Sequence, residues 1–273
     1  MSDLKLYERV NSFTERKILP LANKIGRQRH LTSIRDSFLT ILPITLLGGI
    51  ASILSSPPLS ANTIKPTNLF NRFLLAWCNF ATKNADGLNW LFALTLGAFA
   101  LYVCMGTAYY LSKSYKLEPF IPTLTAVVCF LMVTAIPQEL TFDKKSILIN
   151  YFDGKGLFTG MLTAIISVEL FRFLKNKKFG YVKMPDSVPP ALSASFETFV
   201  PVMLVVALFF TIGSTVTVVT GHALPEAVLS LMEPAIKAVD NVFVVFLITL
   251  LTQFLWFFGI HDSAIGAVVG PIR

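Results

Sequence analysis

The chain has 273 residues, 54% of them apolar and 14% charged, with a mean hydropathy of +0.65. A soluble domain carries roughly 25% charged residues, so this composition excludes a water-covered globule and points to an all-α polytopic membrane protein. The net charge of +7 sits mostly between apolar runs without interleaved aromatics. That pattern excludes a nucleic-acid footprint and marks the cations as topology signals.

The first segment, residues 1–37, is basic. Tyr7, Val10, Phe13, Ile18, Leu21 and Ile25 recur at three- to five-residue steps, which predicts an amphipathic surface helix interrupted at Pro20. No cleavable signal peptide is expected, because the first long apolar run begins only near Phe38. Six runs then approach the roughly 20 residues a bilayer-crossing helix needs. They are Phe38 to Ser55, Leu88 to Leu111, Phe120 to Ile136, Leu157 to Leu174, Phe199 to Thr220 and Val239 to Ile260. Pro57-Pro58 closes the first, Asp86-Gly87 introduces the second and Pro137 closes the third. The weaker stretch Leu69 to Phe80 contains Arg72 and reads as an interfacial helix with Trp77 at headgroup level.

With a cytoplasmic N-terminus and six crossings, fifteen Lys and Arg fall inside and seven outside, with Arg273 left at the end. That asymmetry satisfies the positive-inside rule. Cys78, Cys104 and Cys129 form no CxxC pair and read as small buried hydrophobes. No cofactor, metal site or catalytic residue is expected, since Cys, His and carboxylates do not cluster.

Polar groups within apolar runs are costly unless paired or used. Glu169 and Arg172, three apart, are expected to pair on one helix face. Glu197 opens the fifth run, where it either faces a cavity or answers a helix dipole. Asp240 reads as interfacial, and His30 and His222 read as loop residues without partners. The densest candidate site is the end of the chain. There Gln253 and Trp256 precede a break at Gly259, and His261 and Asp262 follow at once among small residues. A helix broken at membrane depth exposes backbone groups that must line protein or a wet cavity, a common ingredient of solute sites. The alternative is that the helix simply exits and His261 lies in an interfacial loop.

Three stretches carry a resemblance. RHLTSIRDSFLTILPITLLGGI (Arg29 to Ile50), DSVPPALSASFETFVP (Asp186 to Pro201) and FFGIHD (Phe257 to Asp262) resemble, in order, segments of IIC components of the phosphotransferase system. The type is that of lactose, cellobiose and diacetylchitobiose. Asp262 stands where the family motif has glycine. The resemblance implies a permease that binds a β-linked disaccharide for phosphorylation by a IIB partner supplied by IIA, with no phosphorylated residue in this chain. It implies a scaffold and dimerisation bundle over residues 38–235 and the start of a sugar-transport domain over 236–273. The remaining helices and the glutamate motif of the sugar site are expected beyond Arg273, on a separately encoded half if the chain ends there. His261, Asp262 and Gln253 are expected to bind sugar hydroxyls and Trp256 to stack on the ring. A homodimer in the bacterial plasma membrane, in contact with membrane lipid, is expected. Other readings are a dimerising remnant that does not transport and a secondary transporter independent of phosphorylation.

Overall fold

The computed structural model describes residue 26 and residues 28–134, 150–180, 189–239 and 241–257. The described residues form nine α-helices and three short 3-10 turns, without strands. The helices are α1 (Arg29–Ser55), α2 (Leu69–Lys83), α3 (Ala85–Leu94), α4 (Phe99–Ser114) and α5 (Phe120–Thr134). After a gap come α6 (Leu157–Asn176), α7 (Pro190–Thr220), α8 (Leu224–Val239) and α9 (Val242–Phe257). Among the described residues, four segments are long and apolar enough to cross a membrane: Arg29–Ser55, Ala85–Ser114, Gly154–Asn176 and Phe196–Thr220. The apolar helix α5 is shorter, at 15 residues.

Helix α1 starts nine residues before the apolar run that predicts it. Gln28 caps it by accepting from the Leu31 amide at 2.8 Å, satisfying one of the orphan donors of a helix start. The last residues of the basic segment therefore form the first turns of a long helix. Helix α7 likewise begins at Pro190, a favoured first position, and ends at Gly221. That residue takes φ +74° and donates to the Thr217 carbonyl, the left-handed stop that glycine adopts at no steric cost.

The second apolar run is broken. Helix α3 already contains Asp86 and Gly87, so they begin a helix rather than turn ahead of one. The chain kinks at Thr95, whose hydroxyl bonds back to the Leu91 carbonyl, and a 3-10 turn at Leu96–Ala98 leads into α4. The groups freed by the break are recovered locally. Tyr102 donates to the Leu94 carbonyl at 2.6 Å, and the Ala100 amide donates to the Phe152 carbonyl at 2.6 Å. Such recovery is what irregular backbone at membrane depth requires.

Helix α4 is the centre of the bundle, packed against α1, α5 and α6. Ala100, Cys104 and Ala108, spaced by four, meet Ala126 and Phe130 of α5 and Ala164 and Val168 of α6. Small residues let helix backbones approach closely where no hydrophobic force separates protein from lipid. At Gly106 the approach of α1 is so close that a Cβ would stand 3.0 Å from the Ser37 Cβ. Phe171 and Leu174 of α6 continue the core against Val205 and Phe209 of α7. Outward, α1 exposes Leu46 and Ile53 by more than 60%, and α7 exposes Phe199 and Val218 as much or more. These are faces for lipid or for further protein.

Helix α8 occupies a stretch to which the apolar runs assign no element. Glu226, Glu233 and Lys237 interrupt its hydropathy, while Leu224 packs beside the core of α5, α6 and α7. Pro137, Asp240 and the apolar residues Tyr7 to Ile25 of the expected N-terminal surface helix lie outside the described residues.

Candidate functional site

Gln253 and Trp256 lie three residues apart on α9, a spacing that places them on one helical face. Their side chains, and all of His261 and Asp262, lie outside the described residues.

Among the described residues, the densest polar cluster joins the start of α1 to the ends of α4 and α6. Its centre is Glu169 on α6, with a side chain about one third exposed. His30 Nε2 lies 2.9 Å from Glu169 Oε1, the Tyr115 hydroxyl donates to the same oxygen, and Arg172 donates to Oε2 at 3.3 Å. The Gln28 amide holds the other ring nitrogen of His30 at 2.6 Å. The guanidinium groups of Arg172 and Arg29 lie 3.8 and 5.1 Å from the centre of the Tyr115 ring, within cation–π range. Partial burial, and then its bond to Glu169, push the Tyr115 phenol above its ordinary range. It is therefore a neutral donor near pH 7.

This arrangement fixes helices rather than performing chemistry. Both oxygens of the carboxylate already accept from donors on three helices, so its accepting capacity is largely spent. The expected pairing of Glu169 with Arg172 is present, whereas His30 is not a partnerless loop residue. It lies in the first turn of α1 and crosses 139 positions of sequence to reach Glu169. His222, in the turn before α8, pairs with Glu226 at 3.1 Å, and Tyr151 donates to the same Glu226 carboxylate. Glu197 lies two turns inside α7, beyond the first turn in which a helix dipole acts, so the dipole does not explain it.

A cleft of about 320 Å³ beside the cluster is lined by Arg29, Thr32, Asp36, Tyr110 and Lys113. A second, of about 440 Å³, lies beside the helix break at Phe92 and Gly97, against Tyr151 and Asp153.

The family model of the phosphotransferase system EIIC matches residues 35–270. The chain belongs to the EIIC family. It is 30% identical, over 98% of its own length, to the oligo-beta-mannoside-specific EIIC component of Bacillus subtilis, and covers 58% of that protein. It is 29% identical, over 94% of its length, to the cellobiose-specific EIIC component of Geobacillus stearothermophilus, and covers 57% of it. The fold superposes on the crystal structure of ChbC, the IIC component of the N,N'-diacetylchitobiose-specific system, with a TM-score of 0.78. There the identity is 29%, and the match covers 95% of this chain and 60% of ChbC. This EIIC chain thus spans a little under three fifths of the length of these two EIIC relatives and three fifths of ChbC. EIIC proteins are integral to the membrane, and the four membrane-length helices agree with that.

Proposed function

We propose that this EIIC chain serves in a phosphoenolpyruvate-dependent permease for β-linked disaccharides of the cellobiose, chitobiose and lactose class. The observation that carries the reading is the family match over residues 35–270 together with relatives specific for cellobiose and oligo-β-mannosides. The sugar is bound on one side of the membrane and handed to a IIB protein, itself phosphorylated through IIA, on the other. Residues 38–235 act as scaffold and dimer contact, and residues 236–273 open the sugar-transport domain. Within it His261, Asp262 and Gln253 bind hydroxyls, and Trp256 stacks on the apolar face of a pyranose. The rest of the site comes from the part of the relatives' length that this sequence does not span, on the same polypeptide or a separate one. The test uses membrane vesicles carrying this chain and that remaining part, with IIA, IIB and labelled cellobiose. Sugar phosphorylation that requires phosphoenolpyruvate and this chain is expected, and its absence with all components present sinks the reading.

The N-terminus lies in the cytoplasm, on the motive of fifteen inside cations against seven outside. The bundle is multi-pass in the plasma membrane. Cys78, Cys104 and Cys129 are all buried, so a cysteine introduced at an exposed position can be read against a low background. An impermeant thiol reagent added to intact cells should label Lys65→Cys and spare Lys177→Cys, whereas labelling of Lys177→Cys from outside inverts the topology.

The protein pairs as a homodimer through the scaffold, symmetric pairing being the commonest assembly. The exposed apolar faces of α1 and α7 supply area for such a contact. Light scattering in mild detergent should give two copies per particle, and a monomer over a wide concentration range counts against pairing.

A further inference from the structure

Helix α2 has a composition at odds with either a spanning or a buried helix. Only Leu74, Cys78 and Ala81 of its 15 residues are buried. On a flanking side Phe73 is 61% and Phe80 47% exposed. Between that side and the end of α1 runs a groove of about 390 Å³, lined by Ile53, Leu54, Phe73, Ala76, Trp77 and Phe80. Its wall is almost entirely carbon, because the indole N–H of Trp77 is spent on the Leu54 carbonyl at 3.0 Å. That bond also pins α2 to α1 and holds the groove at one width.

Arg72, Ala76, Phe80 and Lys83 follow one another at helical spacing, so one stripe of α2 presents a cation, the groove wall and a second cation. Both cations are exposed, and neither forms an ion pair among the described residues. The groove opens beside the last turn of a helix long enough to cross the bilayer, which places it at a membrane surface. An apolar slot flanked by free cations at that depth matches the two halves of one molecule. The slot suits an acyl chain, and the cations suit a phosphate at headgroup level.

We propose that α2 and the end of α1 hold an anionic phospholipid, with an acyl chain in the groove, its phosphate on Arg72 and further attraction from Lys83. The guanidinium suits a phosphate because its planar fork offers paired donors. Retaining such a lipid ties α2 to α1, two elements otherwise joined mainly by the indole bond and a few apolar contacts.

The full chain, purified in mild detergent, is titrated with phosphatidylglycerol or with phosphatidylcholine of the same chains. Bound lipid is counted by native mass spectrometry, and copies per particle are read in the same spectra. Phosphatidylglycerol should be retained on the order of tenfold more strongly, since each cation near a membrane surface adds to the attraction for anionic lipid. The double variant Arg72→Gln/Lys83→Gln should lose that preference. Ala76→Phe, at an exposed position, should fill the groove and weaken retention with both cations intact, and circular dichroism checks its fold. Equal retention of the two lipids by the parent overturns the proposal. So does a preference that survives the double variant, or a change in copy number in either variant, which would make the face a contact between two chains.

Discussion

Glu169→Ala should lower the thermal midpoint of the purified chain more than any other single change in the polar cluster. The carboxylate accepts from His30, Tyr115 and Arg172, so its removal strips three donors of their shared partner at once. A hydrogen bond to a charged group contributes roughly 1.5–3 kcal/mol. The side chains of Glu169, His30 and Arg172 are 31–37% exposed, so water screens and replaces part of each interaction. A net loss of about 2 kcal/mol is expected for the alanine variant. Glu169→Gln should recover part of it, because the amide oxygen still accepts from Tyr115 or His30 while the charge facing Arg172 is gone. Tyr115→Phe should cost least, since the ring remains beneath the two guanidinium groups. Thermal unfolding in one detergent, with the double variant His30→Ala/Glu169→Ala completing the cycle, measures the coupling. An alanine variant as stable as the parent would show that the cluster is solvated and holds nothing.

The sequence makes the outline of this bundle legible wherever a continuous apolar run coincides with one helix. Phe120 and Leu157 start α5 and α6 where the hydropathy rises, and α6 ends within two residues of the expected position. The readings diverge where hydropathy is indifferent to the backbone. Thr95 and Gly97 interrupt a helix inside an unbroken apolar run, because a hydroxyl returning to a carbonyl alters chain direction without altering hydrophobicity. Helix α8 escapes detection for the opposite reason, since Glu226, Glu233 and Lys237 lower the mean hydropathy while helical spacing keeps an apolar stripe. Glu169 with Arg172 could be foreseen, being one turn apart. Its contact with His30 could not, because nothing local links residues 139 positions apart. The start of α1 was hidden by its charges. Arg29 and Arg35 look like tail residues until Gln28 is seen capping the helix that carries them. For the proposed sugar site, the sequence offers an expected break at Gly259 and the polar pair after it, while the described structure reaches only α9, which carries Gln253 and Trp256 three residues apart.

His261→Ala should weaken sugar binding by roughly five- to 150-fold, corresponding to about 1–3 kcal/mol, once the rest of the relatives' length is supplied. The motive is the sequence FFGIHD, in which Gly259 is expected to break the helix just before His261. A broken helix at membrane depth must line a cavity or be covered. A site built to hydrogen-bond a hydroxyl leaves that hydroxyl unpaired when its partner is deleted, so the loss exceeds that of a mere change in shape. His261→Gln should retain more binding, since its amide can still donate or accept. Asp262→Gly, which restores the glycine of the family motif, should be tolerated or raise uptake, because glycine relaxes the backbone where a helix stops. Affinity is read from binding of labelled cellobiose at equal membrane abundance, which separates a lost contact from lost protein. If His261 lies in an interfacial loop, the alanine variant binds as the parent does. That outcome would remove the site assignment and leave the family membership and the α1–α9 bundle untouched.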